Sequence, residues 1–366
     1  MKKIFLPLLL LFTITAPHAT AATPVVRVTD RPHVNFVGNF IDNDLATDLL
    51  PEGRLGALVS SFSSARKTWV IDPALIDEIT LMANGYSVNG KEDKDGELAA
   101  QNWLARLKFS IGDNQVISLP YGNPDQLLAK RLAPSELRFY SAYGKTRLEG
   151  HLGRTVSTEN GWGKGVSRLS YPLKALYSNN RRALTGLSTL TSAQEVLDLR
   201  ARLAIVMNPE LDKRAGAVFS YSASVAVKNA TSKLRVSPGR YQLTSTNSKV
   251  PVTLINNFDT PTVVSVSLIP MNSRVQIEDI YNVELAAKSR QQISIDVSVV
   301  APGTTLVYAQ FVNSKGQLVG EQSELNLNAT IIDSRVAWFT TGAAVLLFVG
   351  AIAQSVRRIR RSRNEK

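Results

Sequence analysis

Residues 336–356, VAWFTTGAAVLLFVGAIAQSV, carry no charge, and an uncharged run of that length narrows what a chain can be. As a helix rising about 1.5 Å per residue it is roughly 31 Å long, against a hydrocarbon core of about 30 Å. Nine of its residues are Val, Leu, Ile or Phe, each favouring insertion by roughly 0.3–0.6 kcal/mol. The run therefore predicts one transmembrane helix. Arg357, Arg358, Arg360, Arg361, Arg363 and Lys366 follow it. An excess of basic residues marks the cytoplasmic side of a membrane, which assigns the tail 357–366 to the cytoplasm.

The N-terminus agrees with that orientation. Lys2 and Lys3 precede a short apolar run, and Ala19-Thr20-Ala21 offers the small residues that signal peptidase needs. Residues 1–22 read as a cleaved signal peptide. The expected localisation is the cell membrane, single-pass, N-terminus outside. These two ends also explain most of the net charge of +12: Lys2 and Lys3 contribute +2 and the tail, six basic residues against Glu365, +5, leaving +5 for residues 23–335. No basic stripe with interleaved aromatics occurs, so nucleic acid is not an expected partner. The chain has no cysteine, which excludes disulfides, thiol chemistry and a lipidated cysteine.

Between the ends two patterns follow one another. Over 23–231 a turn type recurs three times: an apolar run, then Asp or Asn, then Pro, then a helix start, at Asp72-Pro73, Asn123-Pro124 and Asn208-Pro209. Asp or Asn accepts a hydrogen bond from the first helical turn, and Pro at the first helical position forfeits no needed donor. Strands leading directly into capped helices are the units of a parallel sheet. The expectation is an extracytoplasmic α/β domain, partly barrel-like. Residues 97–109 read as an amphipathic helix with Leu98, Trp103, Leu104 and Leu107 inward, and 89–96, NGKEDKDG, as a solvated loop. From 232 to 330 the period changes to two. About seven short Val/Thr/Ser-rich segments separated by turn formers read as an all-β immunoglobulin-like sandwich able to fold alone.

Chemistry-bearing motifs are sparse. After the signal peptide only His33 and His151 remain, with no zinc-hydrolase spacing. Gly144-Lys145-Thr146 has Phe139 where a phosphate loop needs its first glycine. No cofactor and no metal is expected. The catalytic candidates are carboxylates at strand ends, Asp72 and Asp125, with Asp42 and Asp44 nearby, because strand C-termini converge on the active site in barrel-like folds. A pair of carboxylates about 5–10 Å apart serves glycoside hydrolysis. Structural roles compete for both, Asp72 as a helix cap and Asp125 as a first-turn charge. Trp162, in Gly161-Trp162-Gly163-Lys164-Gly165, is a candidate sugar-stacking residue.

WVIDPALID at 69–77, AAQNWLARL and ISLPYGNPD at 117–125, together with RYQLTSTNSKVPVTLINNFDTPTVVSVSL and the basic tail, resemble a family of uncharacterised actinobacterial single-pass cell-envelope proteins. The resemblance is to a shortened form, and genes of that family often neighbour the lipid II flippase gene. It implies cell-envelope work without naming a reaction. The expected function is a membrane-anchored envelope protein that binds or scaffolds cell-wall glycan or a membrane protein of envelope synthesis. The alternative is a glycan-active enzyme on a reduced barrel.

Overall fold

A computed structural model describes residues 23–60, 66–330 and 334–363, with the side chains of the last segment over 341–357. The expected signal peptide, 1–22, and the tail's side chains beyond Arg357 lie outside the described residues.

The N-terminal part is built on three short strands. β1 (Val25–Val28) is followed by helices α1 (Asp44–Leu49) and α2 (Arg54–Ser60), β2 (Thr68–Ile71) by α3 (Pro73–Ala83). A hairpin of β3 (Ser87–Val88) and β4 (Lys91–Glu92) precedes α4 (Lys94–Ile111); β5 (Gln115–Ser118) leads to α5 (Gln126–Leu132) and α6 (Pro134–Leu152). The strands pair in parallel in the order β1-β2-β5. Trp69, Ile71 and Val116 pack into the cluster that holds Leu75, Ile79 and Trp103. Val70 and Ile117 pack with Leu119 in a second, small cluster against Trp162. Burial on both faces is why TWVI reads as an unbroken apolar run.

Of the three expected strand–helix units, the first forms as read: Asp72 caps α3 and Pro73 occupies its first turn. In the second the helix starts later, because Asn123 adopts a left-handed φ of 43° and Asp125 takes over as the cap. The third does not form. Leu203–Met207 is a 3-10 turn, fully buried, and no helix starts at Pro209. The expected partly barrel-like domain is a half-barrel sheet of three parallel strands. Residues 89–96 are not a loop throughout: Asn89 and Gly90, with φ of 53° and 78°, make the hairpin turn, and Asp93 caps α4. In α4, Trp103 and Leu107 are buried, but Leu98 is 56 % exposed, against expectation.

Helices α7 (Tyr171–Leu187), α8 (Gln194–Arg202) and α9 (Lys213–Thr231) link the two halves. Nine strands follow: β6 (Leu234–Val236), β7 (Gly239–Leu243), β8 (Asn247–Asn256), β9 (Thr262–Pro270), β10 (Val275–Ile277), β11 (Ile280–Leu285), β12 (Ser289–Val299), β13 (Gly303–Val312) and β14 (Leu318–Ala329). They make a sheet of four, β10-β12-β8-β6, and a sheet of five, β11-β9-β13-β14-β7. β10 and β11 lie in a stretch without clear alternation and escape the sequence reading. One apolar cluster runs from Leu184, Leu187, Phe219 and Val227 of the helices to Leu234, Val252, Val266 and Leu325 of the strands. The expected all-β unit is therefore a β-rich unit with helices built into its core, and the position 231/232 falls inside that core.

The C-terminal expectation also needs correction. Among the described residues no helix is long and apolar enough to cross a membrane. The predicted transmembrane helix, 336–356, falls within α10 (Ser334–Arg363).

Candidate functional site

Three chain segments leave the C-terminal edge of the parallel sheet together, and each brings a carboxylate. Asp30 follows β1, Asp72 follows β2, and Asp125 lies beyond β5. The structure gives all three local partners. Asp72, 2 % exposed, accepts from the backbone N–H groups of Ala74 and of Gly122, both at 3.0 Å. Burial pushes its carboxyl well above the usual range. Asp125 accepts from Leu128 N–H through one oxygen and from Ser167 N–H through the other, both at 3.0 Å. The same residues that read as strand-end acids therefore tie helix starts to distant loops.

Asp30 belongs to a buried charge network that the sequence reading missed, because its members lie far apart in the chain. His33 is 1 % exposed, and its Nδ1 stands 2.8 Å from Asp42 and its Nε2 3.7 Å from Asp30. Burial opposes a charged ring, but Asp30 and Asp42 outweigh it and raise the imidazole to about 9. Arg54 pairs with Asp30 at 2.7 Å, and Arg31 bridges Asp42 and Asp44. Glu78 accepts from His33 N–H at 2.9 Å and Val34 N–H at 3.2 Å, and burial raises it to about 7. Among the described residues no group of three or more His, Asp or Glu is placed to hold a metal ion.

These strand ends offer no room for a substrate. The void bounded by Asp30, Asp72, Glu78 and Gly122 measures about 10 Å³, and Ile205 of the 3-10 turn is part of its wall. That is space for one water. The failed third strand–helix unit is thus a plug over the place where a barrel would keep its active site. Trp162 lies elsewhere, half-buried against Val70, Ile117 and Leu119, with Nε1 donating to Glu159 at 3.0 Å.

An open groove of about 650 Å³ lies between α6 and α8, lined by Phe139, Tyr143, Arg147, His151, Gln194 and Leu197. Tyr143 meets Tyr121 edge to face at 5.1 Å, and Phe139 lies 5.9 Å from Tyr143 with the Arg200 guanidinium over its ring at 4.3 Å. The polar groups are oriented in advance. Tyr143 Oη and Gln194 Nε2 both donate to Asp198 at 2.6 Å. Asp77 receives Tyr121, Arg147 and His151, and although burial would raise it, these partners hold it below the usual carboxylate range. None of Asp72, Asp125 and Trp162 lines this groove. Its signal in the sequence is the spacing of Phe139, Tyr143, Arg147 and His151, one stripe at every fourth residue of a helix.

The fold so described is a small parallel sheet with a plugged edge joined through helices to a strand-rich unit. Residues 155–364 match a family of unknown function (DUF6049), and the chain belongs to that family. No curated protein matches the chain. Similar solved structures include WR4, a C. elegans MSP family member, at 14% identity over 27% of this chain and 98% of that one, TM-score 0.22. The ASH/PapD-like domain of human CEP192 is 13% identical over 28% of this chain and 87% of that one, TM-score 0.21. The E. coli chaperone DraB is 13% identical over 26% and 54%, TM-score 0.20.

Proposed function

We propose that this chain is an extracytoplasmic envelope protein that binds cell-wall glycan, and that the groove between α6 and α8 is the binding site. The observation that carries the reading is the contrast between two places. Asp30, Asp72 and Glu78 are enclosed around a void of about 10 Å³, whereas the α6–α8 groove opens about 650 Å³ lined by aromatic rings and fixed polar groups. Volumes of roughly 300–1,000 Å³ with a few convergent polar groups are typical of small-ligand sites. A sugar ring suits this lining: its C–H faces stack on Tyr143 or Phe139, and its hydroxyls meet Arg147 and Gln194.

Co-sedimentation of the full chain with purified cell-wall glycan tests this. Tyr143→Ala should weaken retention by about tenfold, as truncation of an aromatic anchor commonly does, while Tyr143→Phe retains most of it. Asp72→Asn should change neither retention nor melting temperature, since Asn caps a helix about as well as Asp. Soluble sugar fragments released by the wild type but not by Asp72→Asn would replace binding with catalysis. Retention untouched by Tyr143→Ala would remove the groove from the site.

A further inference from the structure

Among the described residues, strand β12 lacks a paired neighbour along most of one edge. β8 pairs with it from Ser289 to Ser298, without a register shift. On the other side β10 covers only Val297–Val299. Val299 donates its N–H to Thr246, on the β8 side. Successive strand residues turn their N–H and C=O groups to opposite edges. The odd-numbered residues therefore bond β8, and Arg290, Gln292, Ser294 and Asp296 turn their backbone groups away from it. Pro251, which has no N–H to give, sits opposite Ser294, as this alternation requires. Among the described residues no strand pairs with the free edge over 290–296.

An unpaired edge is a template for another strand, and proteins usually guard it with proline, a bulge or like charges. Residues 290–296, RQQISID, contain no proline, and the charges at the two ends of the run have opposite sign. Antiparallel pairing of the run with itself, about a two-fold axis at Ile293, sets Arg290 opposite Asp296 of a second copy, twice. It also sets Gln292 opposite Ser294, so that all four residues with free backbone groups meet as hydrogen-bonded pairs. The ends of the run fit that register. Ile277 already occupies the place opposite Val297, and the chain turns away at Lys288, whose φ is 47°. The four side chains Arg290, Gln292, Ser294 and Asp296 are exposed.

We propose that β12 is the interface of a two-fold dimer, in which the four-stranded sheets of two copies join edge to edge through residues 290–296. The occupant is a second copy, rather than an unrelated strand, because the run is charge-complementary to itself in the register that satisfies its free backbone groups. The inference stands apart from the glycan reading, since the groove between α6 and α8 is formed by other elements.

The test uses the full chain, whose dimer dissociation is followed by analytical ultracentrifugation. Arg290→Glu should weaken the dimer by about tenfold by placing like charges opposite each other twice. Asp296→Arg should do the same, and the doubly exchanged Arg290→Asp/Asp296→Arg chain should recover the wild-type value to within about threefold. Gln292→Cys with Ser294→Cys should yield a disulfide-linked dimer on mild oxidation. The chain has no other cysteine, and opposed residues in a bonded pair stand about 5.5 Å apart, within disulfide reach. A chain monomeric at all concentrations, or a dimer indifferent to the single charge reversals, would overturn the proposal.

Discussion

His33 sets the pH response of the sheet edge. Its ring is held between Asp30 and Asp42, beneath Glu78 and beside Arg31 and Arg54, and its folded value of about 9 stands above the ordinary 6.5. A raised value means that the native state binds the proton more tightly than the unfolded chain. That contribution is complete below pH 6.5 and is lost as pH rises through about 9. Glu78, raised from 4.5 to about 7, acts in the same direction: its contribution is complete below 4.5 and lost as pH rises through 7. Denaturant melts should show wild-type stability falling by on the order of 3 kcal/mol between neutral and alkaline pH. His33→Gln should be less stable at pH 6.5 but nearly flat over the same range. Equal slopes in the two proteins would mean that the ring is not held as an imidazolium.

At the scale of elements, the decisive piece is the 3-10 turn Leu203–Met207. Its five residues are all buried, and Asn208, just beyond it, donates to the Gly122 carbonyl at 3.1 Å. Gly122 itself is left-handed, with φ of 76°, and a Cβ there would stand 2.8 Å from the Ile205 side chain and 3.0 Å from its backbone nitrogen. Gly122→Ala therefore meets both backbone strain and a filled plug. The expected cost is roughly 2–4 kcal/mol, measurable as a drop in melting temperature. A neutral or stabilised variant would mean that the turn does not press on the strand ends. The cap at Asp72 was legible in sequence, because a cap is a local hydrogen bond between neighbours in the chain; the cap at Asp93 was missed, since NGKEDKDG reads as a solvated loop. The plug was not legible, because LAIVM has the same apolar character whether it extends in a sheet or coils beneath one.

For the molecule as a whole, the continuous core joining helices and strands decides how it folds. Thr191 and Thr260 hydrogen-bond at 2.8 Å, Thr262 donates to the Leu190 carbonyl, and Asn313 reaches Thr189 at 3.2 Å. The family match, beginning at residue 155, likewise takes in helices and strands together. A fragment of residues 171–330 should melt cooperatively and well above a 232–330 fragment, which would expose the apolar surface that Leu184, Leu187, Phe219 and Val227 cover. Removing that cover returns apolar area to water at roughly 25 cal/mol per Å². Identical melting of the two fragments would make the helices a separate unit.

What the sequence determined by itself was local: the period of two over β8, β9, β12, β13 and β14, the capped start of α3, the buried face of α4 at Trp103 and Leu107, and the absence of cysteine chemistry. These follow from neighbours a few residues apart, where propensity and hydrogen bonding act. The tertiary structure alone decided the rest. It brought Asp30, His33, Asp42 and Glu78 into one network, gave Asp72 and Asp125 backbone partners in distant loops, placed Tyr143 and Arg147 opposite Gln194, and, among the described residues, left β12 without a partner along one edge. Each depends on which distant segment arrives alongside. That is settled by how apolar faces fill space together and by which buried polar groups must find partners, and neither quantity is written in a short window of sequence.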